Sequence, residues 1–397
     1  MNVKRINEIK ILIIIFLLLD LKDNNDKYNN FIFNKCVDKE SLKLISLNLT
    51  KNQSKIKGLN YLNNIKNNRI NNISKKINKP KISVIIPIYN CQDTIDLTLK
   101  SIHFQNFNEI EIILINDHSS DNSSHIIEEL KIMDQRINII NNFKNMGTFY
   151  SRCIGALNSK GEYIIGLDND DLFLSEDIFE TVYLNAKINF FDIVEVKSFN
   201  IPNYNPRFEE IRSGYYLSHK DNLILHQPEL GISSVSLTNK VYSKDHFAWG
   251  KLIRSVIYKK SINKLGKERY SKYNCWTEDV TIVFVLFNTA NSFIFLNIYG
   301  IFHIIKNTTA TYKLSNKHKF ITHIFYLGIL FDFSRNDFLI KNFVAKYTLR
   351  FSFYQIKKLD ENNKLFFKSI IKKIIDCKFI SKKYKQKIIQ RFSPIFI

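Results

Sequence analysis

The sequence predicts an α/β fold with a mostly parallel central sheet. Between residues 82 and 168, four short apolar runs rich in β-branched residues alternate with segments of helical periodicity. Three runs lead into polar ends, Pro87-Ile88-Tyr89-Asn90, Asn116-Asp117 and Asp168-Asn169-Asp170-Asp171, where a parallel sheet is expected to bind ligands. The 397 residues are 45% hydrophobic and 13% aromatic, enough for a large core, while 11 Gly and 6 Pro exclude collagen-like and disordered classes.

Each element follows from its residues. Residues 82–86 (ISVII) read as a buried strand ended by Pro87. Over 93–105, Ile95, Leu99 and Ile102 recur at helical spacing, with Asp93 as the cap. Residues 110–115 (IEIILI) form the second strand, running into Asn116-Asp117-His118-Ser119-Ser120-Asp121. An amphipathic helix over 121–133, a strand over 137–140, a helix over 148–157 and a strand over 163–167 follow. The last strand ends in Asp168-Asn169-Asp170-Asp171. This alternation gives βαβ units. A helix over 176–188, a strand over 192–196 and a long polar insertion at 198–245 come next.

The net charge of +21 lies in the flanks: residues 1–80 carry +10 and 301–397 carry +15, while 81–300 carry −4. Such flanks suit a membrane surface or an acidic partner better than a nucleic-acid-reading face, and no zinc-finger or RNP spacing is present. Nucleic acid is therefore not an expected partner. Cys36, Cys91, Cys153, Cys275 and Cys377 form no CxxC pair, which leaves neither a zinc site nor a disulfide framework. At the N-terminus, residues 11–19 are apolar behind Lys4, Arg5 and Lys10. Residues 1–21 thus read as a signal sequence or signal-anchor, with a buried helix as the alternative; the first implies membrane association, the second a cytoplasmic protein. Residues 22–80 read as an Asn/Lys-rich stem or linker, and 311–397 as a basic amphipathic helical tail without a 20-residue apolar span.

The chemistry gathers at the strand ends. No GxGxxG or GxxxxGK[ST] loop follows the first strand. Three carboxylates within four residues repel one another, so convergence requires a proton or a cation. Oxygen ligands select Mg²⁺ or Mn²⁺, which commonly bridge one or two carboxylates and substrate phosphates. A solvated acidic turn capping a helix near Ser175 is the alternative.

Residues 81–172 resemble the nucleotide-binding half of the family 2 glycosyltransferases, which have the GT-A fold. The landmarks are Val84-Ile-Ile-Pro-Ile-Tyr-Asn90, Ile115-Asn-Asp-His-Ser-Ser-Asp121, Asn145-Met-Gly147 with Arg152, and Gly166-Leu-Asp-Asn-Asp-Asp171. The resemblance thins towards residue 310. It implies a GT-A domain over 81–310, with a nucleotide-sugar half (81–172) and an acceptor half (173–310). By the same resemblance Pro87, Tyr89 and Asn90 line the donor pocket. Asp117 accepts hydrogen bonds from the base, usually uracil, and Asp168 contacts the ribose or diphosphate. Asp170, with Asp171, holds Mn²⁺ or Mg²⁺, and Arg152 pairs with acids in this mouth. Asn116 stands where many members carry a second acid.

In the second half, Phe247-Ala-Trp-Gly-Lys-Leu-Ile-Arg254 is similar to the segment beside the acceptor, with Trp249 placed to stack on a sugar or to fill the core. Trp276-Thr-Glu-Asp-Val280 resembles the family's Glu-Asp motif, which makes Asp279 the general base, Glu278 its neighbour and alternative, and Trp276 an acceptor-side residue. His303 sits where some relatives place a metal-contacting residue. The implied activity is inverting transfer of one sugar from a nucleotide-sugar, most simply UDP-linked, to a glycan, lipid or protein hydroxyl. Absence of Gln-x-x-Arg-Trp argues for single-sugar transfer over polymerisation. A non-catalytic nucleotide- or glycan-binding relative and a nucleotidyltransferase are the competing readings. The second lacks its glycine- and base-rich loop after the first strand.

Overall fold

The computed structural model describes residues 51–68, 74–202, 223–226, 248–272, 278–305, 316–333 and 359–393, with isolated positions between 341 and 356. The signal or anchor at 11–19, Trp276 and most of the insertion at 198–245 lie outside them. In chain order the elements are α1 (Lys51–Asn67), β1 (Ile82–Ile88), α2 (Ile95–His103), β2 (Ile110–Asn116), α3 (Ser123–Met133), β3 (Ile137–Asn141), α4 (Thr148–Asn158), β4 (Tyr163–Gly166), β5 (Leu172–Phe173) and α5 (Ile178–Asn189). Then come β6 (Ile193–Pro202), β7 (Leu223–His226), β8 (Lys251–Arg254), α6 (Ser255–Leu265), α7 (Lys267–Lys272), α8 (Glu278–Phe287), β9 (Ser292–Ile305), α9 (Asn316–Phe333), α10 (Glu361–Asp376) and α11 (Lys382–Phe392).

Among the described residues the strands form one sheet in the order β3-β2-β1-β4-β8-β6-β9-β5, with β7 on β9. The first four are parallel, as the alternating pattern requires. β8 runs antiparallel to β4 and β6, so the second half extends the sheet with mixed polarity. In register, Ile88 lies beside Asn116 and Asn116 beside Asn141. The chain therefore leaves β1, β2 and β3 at one common edge.

Several expectations change. Pro87 does not end the first strand but lies buried within β1. Its missing N–H is tolerated because residue 87 shares the parity of Ile85, whose carbonyl accepts from Leu167 on the β4 side. Pairing with β4 stops at Ile85–Gly166, so no ladder bond is lost. The cap of α2 is Thr94 instead of Asp93. The strand expected over 192–196 extends to Pro202, and β7 occupies part of the polar insertion.

Residues 51–67, read as part of a stem or linker, form a helix docked on the domain. Tyr61, Leu62 and Ile65 pack with Leu172, Leu174, Phe199, Phe302 and Ile304. The Tyr61 hydroxyl donates to the Ser101 carbonyl at 2.9 Å, and Lys57 pairs with Asp177 at 2.7 Å.

On the opposite side, α4, α6, α8, α9, α10 and α11 share one large apolar cluster over β1, β2 and β8. Gly155 sets the height of α4: a Cβ there would lie 2.6 Å from Ile85 Cγ2 and 2.7 Å from Ile115 Cδ1. Only glycine lets α4 lie this close to the sheet, and one turn earlier on that helix is Arg152. The tail helices behave as expected from their pattern: Phe367, Ile370, Ile371 and Ile374 of α10 and Ile388 and Phe392 of α11 are buried. No helix among the described residues is long and apolar enough to cross a membrane.

Candidate active site

Four loops leave the carboxyl edge of the sheet and are laced together by side chains. Asn90, in the left-handed region at φ 47°, accepts the Ser120 amide at 2.8 Å, and Ser119 Oγ accepts the Asn90 amide at 3.2 Å. Asn90 is thus exposed but committed to the neighbouring loop. Tyr89 is 47% exposed beside it. Asn169 Nδ2 donates to the Pro87 carbonyl at 3.0 Å, which fixes the Asp168–Asp171 turn to the end of β1.

Asn116 donates from Nδ2 to Ser124 Oγ at 3.0 Å and Asn141 Oδ1 at 2.9 Å. The amide donates both bonds, whereas a carboxylate here would have to accept from the Ser124 hydroxyl and a turned Asn141 amide. Asp117 is buried and accepts three bonds of 2.7 Å: Asn142 Nδ2 and the Met146 amide on Oδ1, and the Gly147 amide on Oδ2. Gly147 is at φ 87° and precedes α4. Asp117 therefore anchors the loop 142–147 and retains one acceptor position on Oδ2.

The acids expected to act in catalysis converge on one cation. Arg152, 5% exposed, donates from Nη1 to Glu278 Oε1 at 3.1 Å and to Asp279 Oδ1 at 2.5 Å, and from Nη2 to Asp168. Glu278 and Asp279 open α8, where acids favour the helix dipole. Burial alone would weaken the Arg152 charge, but Asp279, Asp168 and Glu278 hold its pKa well above the ordinary value. Burial pushes Glu278 up to about 8 against the pull of Arg152. Burial also raises Asp279, opposed by Arg152 and reinforced by Asp168. Asp279 is 25% exposed and Glu278 14%, so Asp279 is the more accessible to an acceptor.

Beneath this cluster lies a feature the sequence reading missed. Lys251 of β8 and Glu195 of β6 pair at 2.9 Å with 3% and 6% exposure. The signal was present as one acid in IVEV and one base in GKLI, opposite charges in two apolar strands that must each find a partner. Lys251 is one of the charges that oppose the rise of Asp279.

The Asp171 expectation requires correction. Asp171 is fully buried, its oxygens 3.0 Å from His303 Nδ1, and Oδ1 also accepts the Ile304 amide at 2.9 Å. It orients His303 from behind and is not a solvated acidic turn. Burial would lower the His303 pKa, but Asp171 outweighs it and raises it to about 9. Of the two readings of Trp249, the buried one describes its place: it is 4% exposed and its ring stacks on His303 with centroids 4.9 Å apart.

Among the described residues no group of three or more His, Cys, Asp or Glu is arranged to hold a metal. Asp170 remains partly exposed at the mouth. One carboxylate suits a Mg²⁺ or Mn²⁺ that takes its other ligands from phosphates and water.

The raised Glu278 pKa has a stability signature. Folded Glu278 keeps a proton that the unfolded chain, near the ordinary 4.5, releases. Its contribution is complete below that value and is lost as pH rises through about 8. Glu278→Gln keeps an acceptor for Arg152 and cannot titrate. In urea unfolding at pH 5, 6.5 and 8, stability of the native protein is expected to fall by up to roughly 1.4 kcal/mol per pH unit from this proton, and the variant to show a flatter profile. Equal slopes would contradict the assignment.

Residues 83–247 match the family model described as glycosyl transferase family 2. Glycosyltransferase GlyA of Streptococcus pneumoniae is 31% identical over 202 residues, 48% of this chain and 27% of GlyA, so the chain spans about a quarter of that curated relative. A cholesterol galactosyltransferase of Borreliella burgdorferi is 26% identical over 80% of this chain and 84% of its own length. The solved structure of S. aureus TarS residues 1–349 with UDP superposes with a TM-score of 0.53 at 17% identity, covering 79% of this chain and 90% of that one. The match to the glycosyl transferase family 2 model covers residues 83–247, the segment that carries the Asp117, Arg152 and Asp168 loops, and the likeness to TarS is one of fold.

Proposed function

We propose that the chain is an inverting glycosyltransferase moving a single sugar from a UDP-sugar to an acceptor hydroxyl. The observation that carries this reading is the convergence of Asp168, Glu278 and Asp279 on Arg152. Two chain segments more than a hundred residues apart meet where the sheet presents its ligand edge.

Asp117 accepts the imide N–H of uracil on its remaining Oδ2 lone pair, and its bonds to loop 142–147 keep that oxygen fixed. Asp168, held by Arg152, meets the ribose and diphosphate side. Asp170 would hold Mg²⁺ or Mn²⁺ together with the donor phosphates; the ion supplies positive charge against the leaving diphosphate. Asp279 takes the acceptor hydroxyl proton as its oxygen bonds the anomeric carbon and the bond to the diphosphate breaks on the opposite face. Arg152 holds the carboxylate in place for that transfer and is the positioning residue of the site.

A lipid acceptor fits best. A relative covering most of the chain is named for cholesterol, and the C-terminal helices present Lys382, Lys383, Lys387 and Arg391 outward, a charge suited to anionic lipid at a membrane surface.

The test is UDP release from a panel of UDP-sugars with Mn²⁺, Mg²⁺ or EDTA, with UDP binding measured on the same samples. Release from one donor, abolished by EDTA and by Asp170→Ala, is expected. Absence of both release and binding for every donor would overturn the proposal.

A further inference from the structure

A cavity of about 620 Å³ opens between α9, α10 and the turn that follows α10, a size typical of small-molecule sites. Its lining holds four lysines, Lys341, Lys372, Lys373 and Lys378, against one acid, Asp376. The wall is set in place by packing. Lys341 is buried, and its Nζ donates to the Phe331 carbonyl at 2.5 Å and lies 3.7 Å from the centre of that ring. A cation over an aromatic face is less costly to bury. Gly328 brings α9 close to α10: a Cβ there would lie 3.0 Å from Phe366 Cζ and 3.3 Å from Ile370 Cδ1.

The charges say what the cavity takes. Lys373 pairs with Asp332 at 2.5 Å, so its charge is offset. Lys372 and Lys378 are exposed and make no ion pair among the described residues. A cleft lined by one sign of charge focuses its field on an ion of the other sign, and lysine meets phosphate as a point charge. The Ser369 hydroxyl spends its hydrogen on the Phe366 carbonyl at 2.7 Å, so its oxygen and the Asp376 carboxylate remain as acceptors. Cations beside acceptors suit a phosphate ester that also carries hydroxyls. On α10, Leu365, Ser369, Lys372 and Asp376 recur at helical spacing and share one stripe. Leu365, one turn from the cavity, is 61% exposed. A soluble anion gives that side chain nothing to touch, whereas a lipid headgroup brings acyl chains to it.

We propose that the cavity between α9 and α10 binds a hydroxyl-bearing phosphate ester, presented as the headgroup of an anionic lipid. Lys372 and Lys378 meet the phosphate, Ser369 and Asp376 accept from the hydroxyls, and Leu365 enters the acyl boundary. This deepens the membrane-surface reading above and is independent of the sugar transferred.

The test uses the full chain with two probes, vesicles of phosphatidylglycerol in phosphatidylcholine and glycerol 3-phosphate in solution. Lys372→Gln combined with Lys378→Gln is expected to weaken vesicle binding about thirtyfold, and Lys383→Gln combined with Lys387→Gln on α11, a matched loss of charge, about threefold. Only the first pair is expected to lose glycerol 3-phosphate, read as a ligand-dependent rise in melting temperature. Leu365→Ser is expected to weaken vesicle binding and leave glycerol 3-phosphate binding unchanged. All four lysines are exposed, so ligand-free melting temperatures should stay native. Equal losses of vesicle binding from the two lysine pairs would overturn the cavity site while leaving a diffuse basic surface on the membrane. Glycerol 3-phosphate binding that needs Lys372 and Lys378, without vesicle binding, would overturn the lipid source and the membrane reading together. Binding of neither probe by the native protein would overturn the site itself.

Discussion

Asp279→Asn is expected to lower sugar transfer by about 10²- to 10⁴-fold, the range attributed to a positioned general base, while UDP binding stays close to native. The amide is isosteric and still accepts the Arg152 Nη1 hydrogen that the carboxylate accepts at 2.5 Å. It cannot take a proton. Because burial raises the Asp279 pKa, the carboxylate is ionised only above the ordinary aspartate range. Transfer by the native enzyme is expected to rise with pH along an acid limb displaced upward from that range. The measurement is kcat against pH for the native enzyme beside kcat and UDP affinity for Asp279→Asn. If Asp279→Asn kept native kcat and Glu278→Gln lost it, the base would be Glu278. The enclosure of Glu278 and its elevated pKa argue against that.

The parts of this molecule that the sequence made legible are those where cause and effect are close along the chain. Strand runs such as IEIILI declare themselves because β-branched residues bounded by polar turns have one comfortable environment. The Asn116–Asp121 and Asp168–Asp171 turns were likewise visible, because polar residues directly after a buried strand must lie at its end. What could not be read was direction. Asp170 and Asp171 are adjacent, yet one stands at the mouth and the other is fully buried against His303, 132 residues away. The same limit applies to Trp249, whose neighbour in space is His303. The docking of α1 was hidden because its few apolar contacts, Tyr61, Leu62 and Ile65, are diluted among Asn and Lys. Pro87 misled for the opposite reason: proline ordinarily ends a strand, and only the early stop of β4 makes it harmless there.

Arg152→Met is expected to be among the most destabilising single changes in the domain. The guanidinium is 5% exposed and is shared by Asp168, Glu278 and Asp279. Removing it leaves enclosed carboxylates without their counter-charge, a loss of about 3–5 kcal/mol for a buried ionic network. The acids can relieve this only by binding protons, so the penalty must depend on pH. At pH 5.5 Glu278, raised to about 8 in the native protein, is already protonated, and proton uptake by Asp279 recovers part of the loss; towards pH 8, where native Glu278 begins to ionise against Arg152, the variant must hold these protons against the solvent and the loss is largest. Arg152→Lys keeps a charge but lacks the planar fork that reaches three carboxylates from two nitrogens, and is expected to fall between the two. Urea unfolding at both pH values is the measurement. A penalty below about 1 kcal/mol at pH 8, or one that shrinks as pH rises, would mean that Arg152 is a solvated surface charge and not the hub of the site. Combining Arg152→Met with Glu278→Gln separates charge from packing: if like charge is the source of the loss, the second change recovers part of it at pH 8 and little at pH 5.5. A purely steric effect would be the same at both.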